Sequence, residues 1–135
     1  MDASSEGAQL IAGMESELHQ LSEAMTMPRP RECLACYVLR MLEFGCHGRH
    51  WMGRYRAMRA PRATALERRM AQKGGYCDCE MLMNVVFPNP RYFRVDEDGD
   101  IVIDPKPPCL GVRGGSTQPC ALWVGRGLGR GLYSF

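Results

Sequence analysis

The chain reads as a small, mainly α-helical domain with a late β-hairpin and an irregular Gly/Pro-rich C-terminal tail. Three observations predict this. Apolar residues recur at helical spacing through most of residues 6–73, two β-branched runs flank an acidic turn after residue 91, and Gly and Pro crowd the stretch beyond residue 104. The length of 135 residues suits one modest domain. Hydrophobic residues at 45% and charged residues at 24% exclude wholesale disorder and a collagen-like fibre. The chain has no apolar run long enough for an ordinary membrane span. Its acidic start, residues 1–10, lacks the apolar core of a secretory signal, so a cytoplasmic location is expected and no membrane partner. Three segments are expected: an amphipathic N-terminal helix over 1–28, a cysteine-rich helical domain over 29–87, and a hairpin with a Gly/Pro-rich tail over 88–135.

The first helix is predicted over 6–25. Leu10, Ile11, Met14, Leu18, Leu21 and Met25 fall on one stripe, and Ser4 or Ser5 is the expected cap. The stripe suits packing on the domain, and its spacing also suits a short coiled coil, which makes a homodimer through this helix a second expectation. Pro28 and Pro30 end it. A second helix is expected over 32–44, with Cys33, Leu34, Tyr37, Met41 and Phe44 on its apolar face and Gly45 in a left-handed C-terminal position. A third runs over 49–59, with Trp51, Tyr55 and Met58 inward. A fourth opens after Pro61 with the capping-box pattern Thr64-Ala65-Leu66-Glu67 and stops at Gly74-Gly75. Residues 81–86 fit a short helix or a strand. Tyr92–Val95 and Ile101–Ile103 flank the turn Asp96-Glu97-Asp98-Gly99-Asp100, which is a hairpin signature. The turn lacks the bidentate Glu and spacing of a calcium loop. Residues 105–135 are expected to be irregular, with a mobile Gly-Arg run at 125–131.

Net charge is +2, but it is segmented. Residues 1–28 hold five acids and no Lys or Arg, residues 29–73 hold eleven bases against three acids, and residues 74–104 hold two bases against seven acids. The basic middle, with Arg49, Arg54, Arg56, Arg59, Arg62, Arg68 and Arg69 interleaved with Trp51 and Tyr55, allows contact with a nucleic-acid backbone. A solvated, ion-paired helical face is the plainer explanation.

Seven cysteines are the unusual feature. An odd number leaves one out of any fully paired disulfide framework, and in a reducing compartment clustered cysteines point to metal ligation or redox chemistry. Zinc, at one or two sites, is the expected cofactor. A tetrahedral zinc–thiolate site needs four ligands with their sulfurs about 4 Å apart. A helix over 33–45 would hold Cys36 and Cys46 about 15 Å apart, so they belong to different sites. The first site is expected from Cys46, Cys77 and Cys79, with His50 or His47 as fourth ligand. The second is expected from Cys33, Cys36, Cys109 and Cys120. Cys33 on an apolar stripe equally fits a buried small hydrophobe. Cys33-Leu34-Ala35-Cys36 at a helix start also allows a redox thiol, but no βαβ pattern accompanies it. Asp78 and Glu80 are placed to orient ligands from behind. Residues 111–118 lack the Lys and flanking elements of a phosphate loop. No catalytic constellation stands out, so an enzyme is the less favoured class.

Gly74-Gly75-Tyr76-Cys77-Asp78-Cys79-Glu80, followed by an apolar run and Asn84, together with Gly45-Cys46, resembles a bacterial family known as domain of unknown function 2695, over residues 32–87. The stretches 31–37 and 109–120 resemble a longer, cysteine-rich subgroup of it. The resemblance implies domain identity and no activity. After Cys46 this chain has His47-Gly48-Arg49-His50 where relatives tend to carry an Asp- or Asn-led turn with Thr. The expected role is a zinc-stabilised interaction or regulatory module with an unknown protein partner. A thiol redox sensor and an arginine-mediated nucleic-acid binder are the alternatives.

Overall fold

In the computed structural model, which describes residues 3–125, helix α1 spans Ala3–Met25 and stands out from the rest of the chain. Ser4 and Ser5 lie inside its first turn rather than ahead of it. Its C-terminal end is fastened. Arg54 donates through Nε to the Thr26 carbonyl at 3.0 Å and through Nη2 to the Glu23 carbonyl at 3.2 Å, and the Tyr37 hydroxyl donates to Thr26 O at 2.7 Å. A cation on the last carbonyls of a helix satisfies orphan acceptors and opposes the negative end of the dipole.

Helix α2, Leu34–Met41, is the central element. Leu34, Ala35, Cys36, Tyr37, Val38 and Met41 are all buried, so it is covered on nearly every side. The helix tightens into a 3-10 turn over Leu42–Phe44, which rotates Phe44 out of the predicted apolar face and leaves it 46% exposed. Gly45 has φ 101° and ψ 162°, an extended glycine-only conformation and not the left-handed cap expected for it.

Helix α3, His50–Arg59, buries Trp51, Met52 and Tyr55; Met52, and not Met58, completes its inner face. Helix α4 is short, Leu66–Gln72, and Ala65 stands at its N-cap with no side-chain cap bond, so the Thr64–Glu67 capping box does not form. Glu67 is instead drawn to Arg56 at 2.8 Å. After Gly74-Gly75 the chain makes a single helical turn α5, Asp78–Glu80, widens into a π turn over Met81–Val85, and becomes strand β1, Val86–Pro88.

The hairpin consists of β2, Arg94–Val95, and β3, Ile101–Val102, paired antiparallel. Its acidic turn is closed by Asp96, whose Oδ1 accepts from the backbone N–H groups of Asp98 at 3.0 Å and Asp100 at 2.9 Å. Residues 105–122 carry no helix or strand, but within the stretch expected to be irregular the chain then forms β4, Trp123–Gly125. It pairs antiparallel with β1, Val86 opposite Gly125 and Pro88 opposite Trp123. Three residues with one aromatic are too short a run to show alternation, so the strand exists by pairing and not by propensity. Phe93, Cys120, Leu122 and Trp123 thereby join α2, α3 and β1 in one core. The Gly-Arg run at 126–131 lies outside the described residues.

Candidate metal centre

Cys33, Cys36, Cys109 and Cys120 have their sulfurs within 4.8 Å of one another, and Cys33, Cys36 and Cys120 are buried. Local geometry explains the convergence. Cys33 is the N-cap of α2, and its sulfur accepts the Cys36 N–H at 3.3 Å. In the irregular stretch after the hairpin, the Cys109 sulfur accepts the Gly111 N–H at 3.4 Å and, across the chain, the Cys33 N–H at 3.3 Å. Gly111 sits at φ 86°, which only glycine adopts without strain, and this bends the backbone back over Cys109. A pairing of Val112 N with Arg31 O at 2.9 Å fixes that loop against the start of α2. Cys120 arrives just ahead of β4, its sulfur 3.8 Å from that of Cys36. That is the separation of about 3.8 Å that two thiolates at ~2.3 Å from one tetrahedral ion would have.

The donors around the sulfurs suit thiolates. Besides the three backbone N–H groups, Trp123 Nε1 lies 3.2 Å and Lys106 Nζ 3.5 Å from the Cys36 sulfur. N–H donors and a cation favour the charged form. Left to themselves, the thiols compete for one negative charge. Hydrogen bonds from Cys33 and Cys36 hold Cys120 down to about 2, while the hydrogen bond to Cys120 pushes Cys36 up to about 12 and Cys33 upward as well. A divalent ion would end that competition by giving every thiolate a counter-charge. The cleft beside this group, about 610 Å³, is lined by Arg29, Arg31, Arg40 and Lys106 with Glu32 as its acid, and places further positive charge next to the sulfurs.

Cys46, Cys77 and Cys79 form a second group, again with sulfurs within 4.8 Å of one another. Cys46 is exposed, and the other two are partly exposed. Cys77 and Cys79 sulfurs are 3.8 Å apart. The residue between them faces the other way. Asp78 is fully buried, and its two carboxylate oxygens accept the Trp51 N–H at 2.9 Å and the Met52 N–H at 3.0 Å. These are two of the four orphan donors at the start of α3, so Asp78 caps that helix from 26–27 residues away. Its own N–H donates to Gly48 O at 2.8 Å, which ties Cys77–Cys79 to the turn that carries Cys46. Burial raises the Asp78 pKa and the two N–H bonds lower it, burial being the larger effect. Cys46 is lowered chiefly by its hydrogen bond with Cys79, whose thiol is pushed up to about 12 by Cys46 and then Cys77.

The glycine pair before this motif is required by contact. Gly74 has φ 95° and faces Asn84, whose Nδ2 donates to Gly74 O at 2.8 Å. A Cβ on Gly75 would come within 2.9 Å of the Val85 side chain and 3.2 Å of the Met81 backbone. The Gly-Gly, the Asp between the cysteines and the Asn ten residues on therefore make one device that presents two sulfurs beside Cys46.

Neither predicted histidine belongs to that group. The His50 ring packs edge-on against Trp51 with centroids 4.5 Å apart, and His47 Nε2 lies 3.2 Å from the Phe44 carbonyl oxygen. Both rings turn toward the α1 side of the molecule, where they line an apolar groove. Glu80 is nearer the sulfurs: its Oε1 is 3.4 Å from Cys77. Sequence reading placed Asp78 and Glu80 behind the ligands, which suits Glu80; the helix cap made by Asp78 was not read. Trp123 and Lys106 were missed as well. No local spacing points from either to Cys36, since 87 and 70 residues separate them.

The basic segment is spent largely on the chain itself. Arg49 donates to Tyr76 O, Arg54 to Glu23 and Thr26, Arg59 to Pro28 O at 2.7 Å, and Arg56 pairs with Glu67. Trp51 and Tyr55 are buried. Among the described residues no helix is long and apolar enough to cross a membrane.

No curated protein and no solved structure matches the chain. Residues 34–84 match the model of a family described as a protein of unknown function, DUF2695, and the matched segment holds Cys36, the Cys46–Cys77–Cys79 group and the Asp78 cap.

Proposed function

We propose that the chain is a zinc-stabilised interaction or regulatory module of a reducing compartment, in which Cys33, Cys36, Cys109 and Cys120 hold a structural ion. The observation that carries this is the convergence of four sulfurs, three of them buried, from three stretches of chain, within 4.8 Å of one another. Soft thiolate donors in a closed set of four favour zinc or iron–sulfur over hard cations, and a closed set leaves no position for substrate. The ion would join the start of α2 to the tail, which otherwise has little regular structure to hold it. Elemental mass spectrometry with thiol titration on one anaerobic sample tests this. One or two equivalents of zinc with shielded thiols are expected. No metal, with seven freely titrating thiols, would overturn it.

The exposed group supports a second reading at the same level of detail, a thiol sensor. Peroxide would oxidise two of the Cys46, Cys77 and Cys79 thiolates to one disulfide, be reduced to water, and free the ion they held. Release of one equivalent by peroxide, reversed by a dithiol reductant, is the expected result; release that begins at the buried group would count against it. The nucleic-acid reading has less support, because four of its arginines are engaged with carbonyls and Glu67.

A further inference from the structure

Every residue from Ser5 to Met25 is exposed, although α1 runs for 23 residues. Leu10 is 69% and Leu18 63% accessible, and Ile11, Met14, Leu21 and Met25 are each more than half exposed. In proteins most helical stability comes from packing an apolar face, and Gly7 and Gly13 further weaken this helix when it stands alone. The chain's own body holds only the last turn, through Arg54 and Tyr37. Beyond that turn the stripe runs into an apolar groove of about 400 Å³, walled on one side by Leu18, Leu21 and Met25 and on the other by Phe44, Trp51 and the two histidines.

We propose that this groove and stripe receive the α1 helix of a second copy of the chain, forming a two-fold dimer. The register fits. Ile11, Met14, Leu18, Leu21 and Met25 follow the 3-4-3-4 spacing of a coiled-coil seam. With these at the a and d positions, the flanking pairs in a parallel arrangement are Leu10 with Glu15 and Glu17 with Ser22 of the partner, so no two acids oppose each other. The groove itself carries no Lys, Arg, Asp or Glu, so the apolar stripe of a second copy meets an apolar wall there. Area fits at the lower margin. Six large side chains at roughly 100 Å² each give about 600 Å² per chain and about 1,200 Å² for the pair, the smallest size at which specific interfaces are stable. Micromolar dimerisation is the consequence, and it would bring the exposed Phe44 of each body under cover.

Sedimentation equilibrium of the full metal-loaded chain in reductant, from about 1 to 200 µM, reads this directly. A monomer–dimer equilibrium with a micromolar dissociation constant is expected. Leu18→Glu should leave a monomer over the whole range, with unchanged metal content, because Leu18 is 63% exposed and lies outside the core. Leu18→Ile should retain the dimer, and His19→Ala, on the outer face, should do so too. A wild-type monomer at 200 µM, a Leu18→Glu dimer of native affinity, or an assembly larger than two would each overturn the proposal. None of these outcomes depends on which thiols bind metal.

Discussion

Two groups of thiols lie in one small molecule and are built differently. Cys33, Cys36, Cys109 and Cys120 close around a point inside the protein, and their sulfurs accept bonds from three backbone N–H groups, an indole and an ammonium. Cys46, Cys77 and Cys79 gather at the surface as a set of three, and the structure spends its effort behind them, on Asp78 and the Gly74-Gly75-Asn84 contact. The first arrangement ties distant parts of the chain together. The second presents sulfurs to solvent with room for a further ligand. A closed tetrahedral set makes folding depend on the ion, whereas an open set leaves a position that exchange or chemistry can use.

The largest effect should therefore come from the buried group. Cys36→Ser removes the sulfur on which Trp123, Lys106 and Cys120 converge, and structural zinc contributes on the order of 10 kcal/mol in small metal domains. A loss of 5 kcal/mol or more is expected, which for a domain of this size lowers the melting temperature by about 15 °C or more. Thermal denaturation followed by tryptophan fluorescence measures it. Cys46→Ser should release one equivalent of metal at a far smaller loss of stability, about 1–3 kcal/mol, because the core is not held by that sulfur. The two variants together decide the comparison: equal destabilisation would mean the exposed group is as structural as the buried one. Chelator challenge of the wild type sharpens it, with one equivalent leaving at least ~10-fold faster than the other; a single release phase would contradict the distinction.

Asp78→Ala comes next. It strips two caps from α3 and leaves a cavity in a fully buried position, for an expected loss of about 2 kcal/mol, or roughly 6–10 °C in melting temperature. Asp78→Asn keeps one acceptor and should recover part of that. If both variants melt with the wild type, the cap is not what positions Cys77 and Cys79.

How much of this was legible in the sequence follows from how local each feature is. The four main helices were readable because their apolar spacing is local. The separation of Cys36 from Cys46 into a group of four and a group of three was readable because a helix has a fixed rise per residue. The ends were harder: Phe44 left the predicted face when α2 tightened into a 3-10 turn, and Thr64 lost its cap to an Ala65 start, with Glu67 engaged by Arg56. The placement of the histidine rings was hard to read for a related reason. Sitting next to Cys46 in sequence places a ring near the sulfur only if the backbone does not turn it away, and α3 begins at His50 with its ring packed edge-on against Trp51. Strand β4 and the Trp123 and Lys106 contacts to Cys36 were not readable, since each exists through pairing with residues 35 or more positions distant.

Lys106 gives the smallest and most specific test. Four thiolates around a divalent ion carry a net charge of −2, which is unfavourable inside a protein unless cations or N–H donors offset it. Lys106 Nζ, 3.5 Å from the Cys36 sulfur, is also held by the Pro107 carbonyl at 2.7 Å, so its position does not depend on the sulfur alone. Lys106→Met keeps the aliphatic stem and removes the charge. Packing should survive, so the melting temperature of the loaded protein should move by only a few degrees. The ion should leave the buried group several-fold faster, and only there, because Cys46, Cys77 and Cys79 do not share this cation. The same measurement with Lys106→Arg, which keeps the charge, should restore slow release. If Lys106→Met speeds release from both groups alike, the ammonium acts through overall stability; if it speeds neither, the N–H donors alone carry the charge of the thiolates.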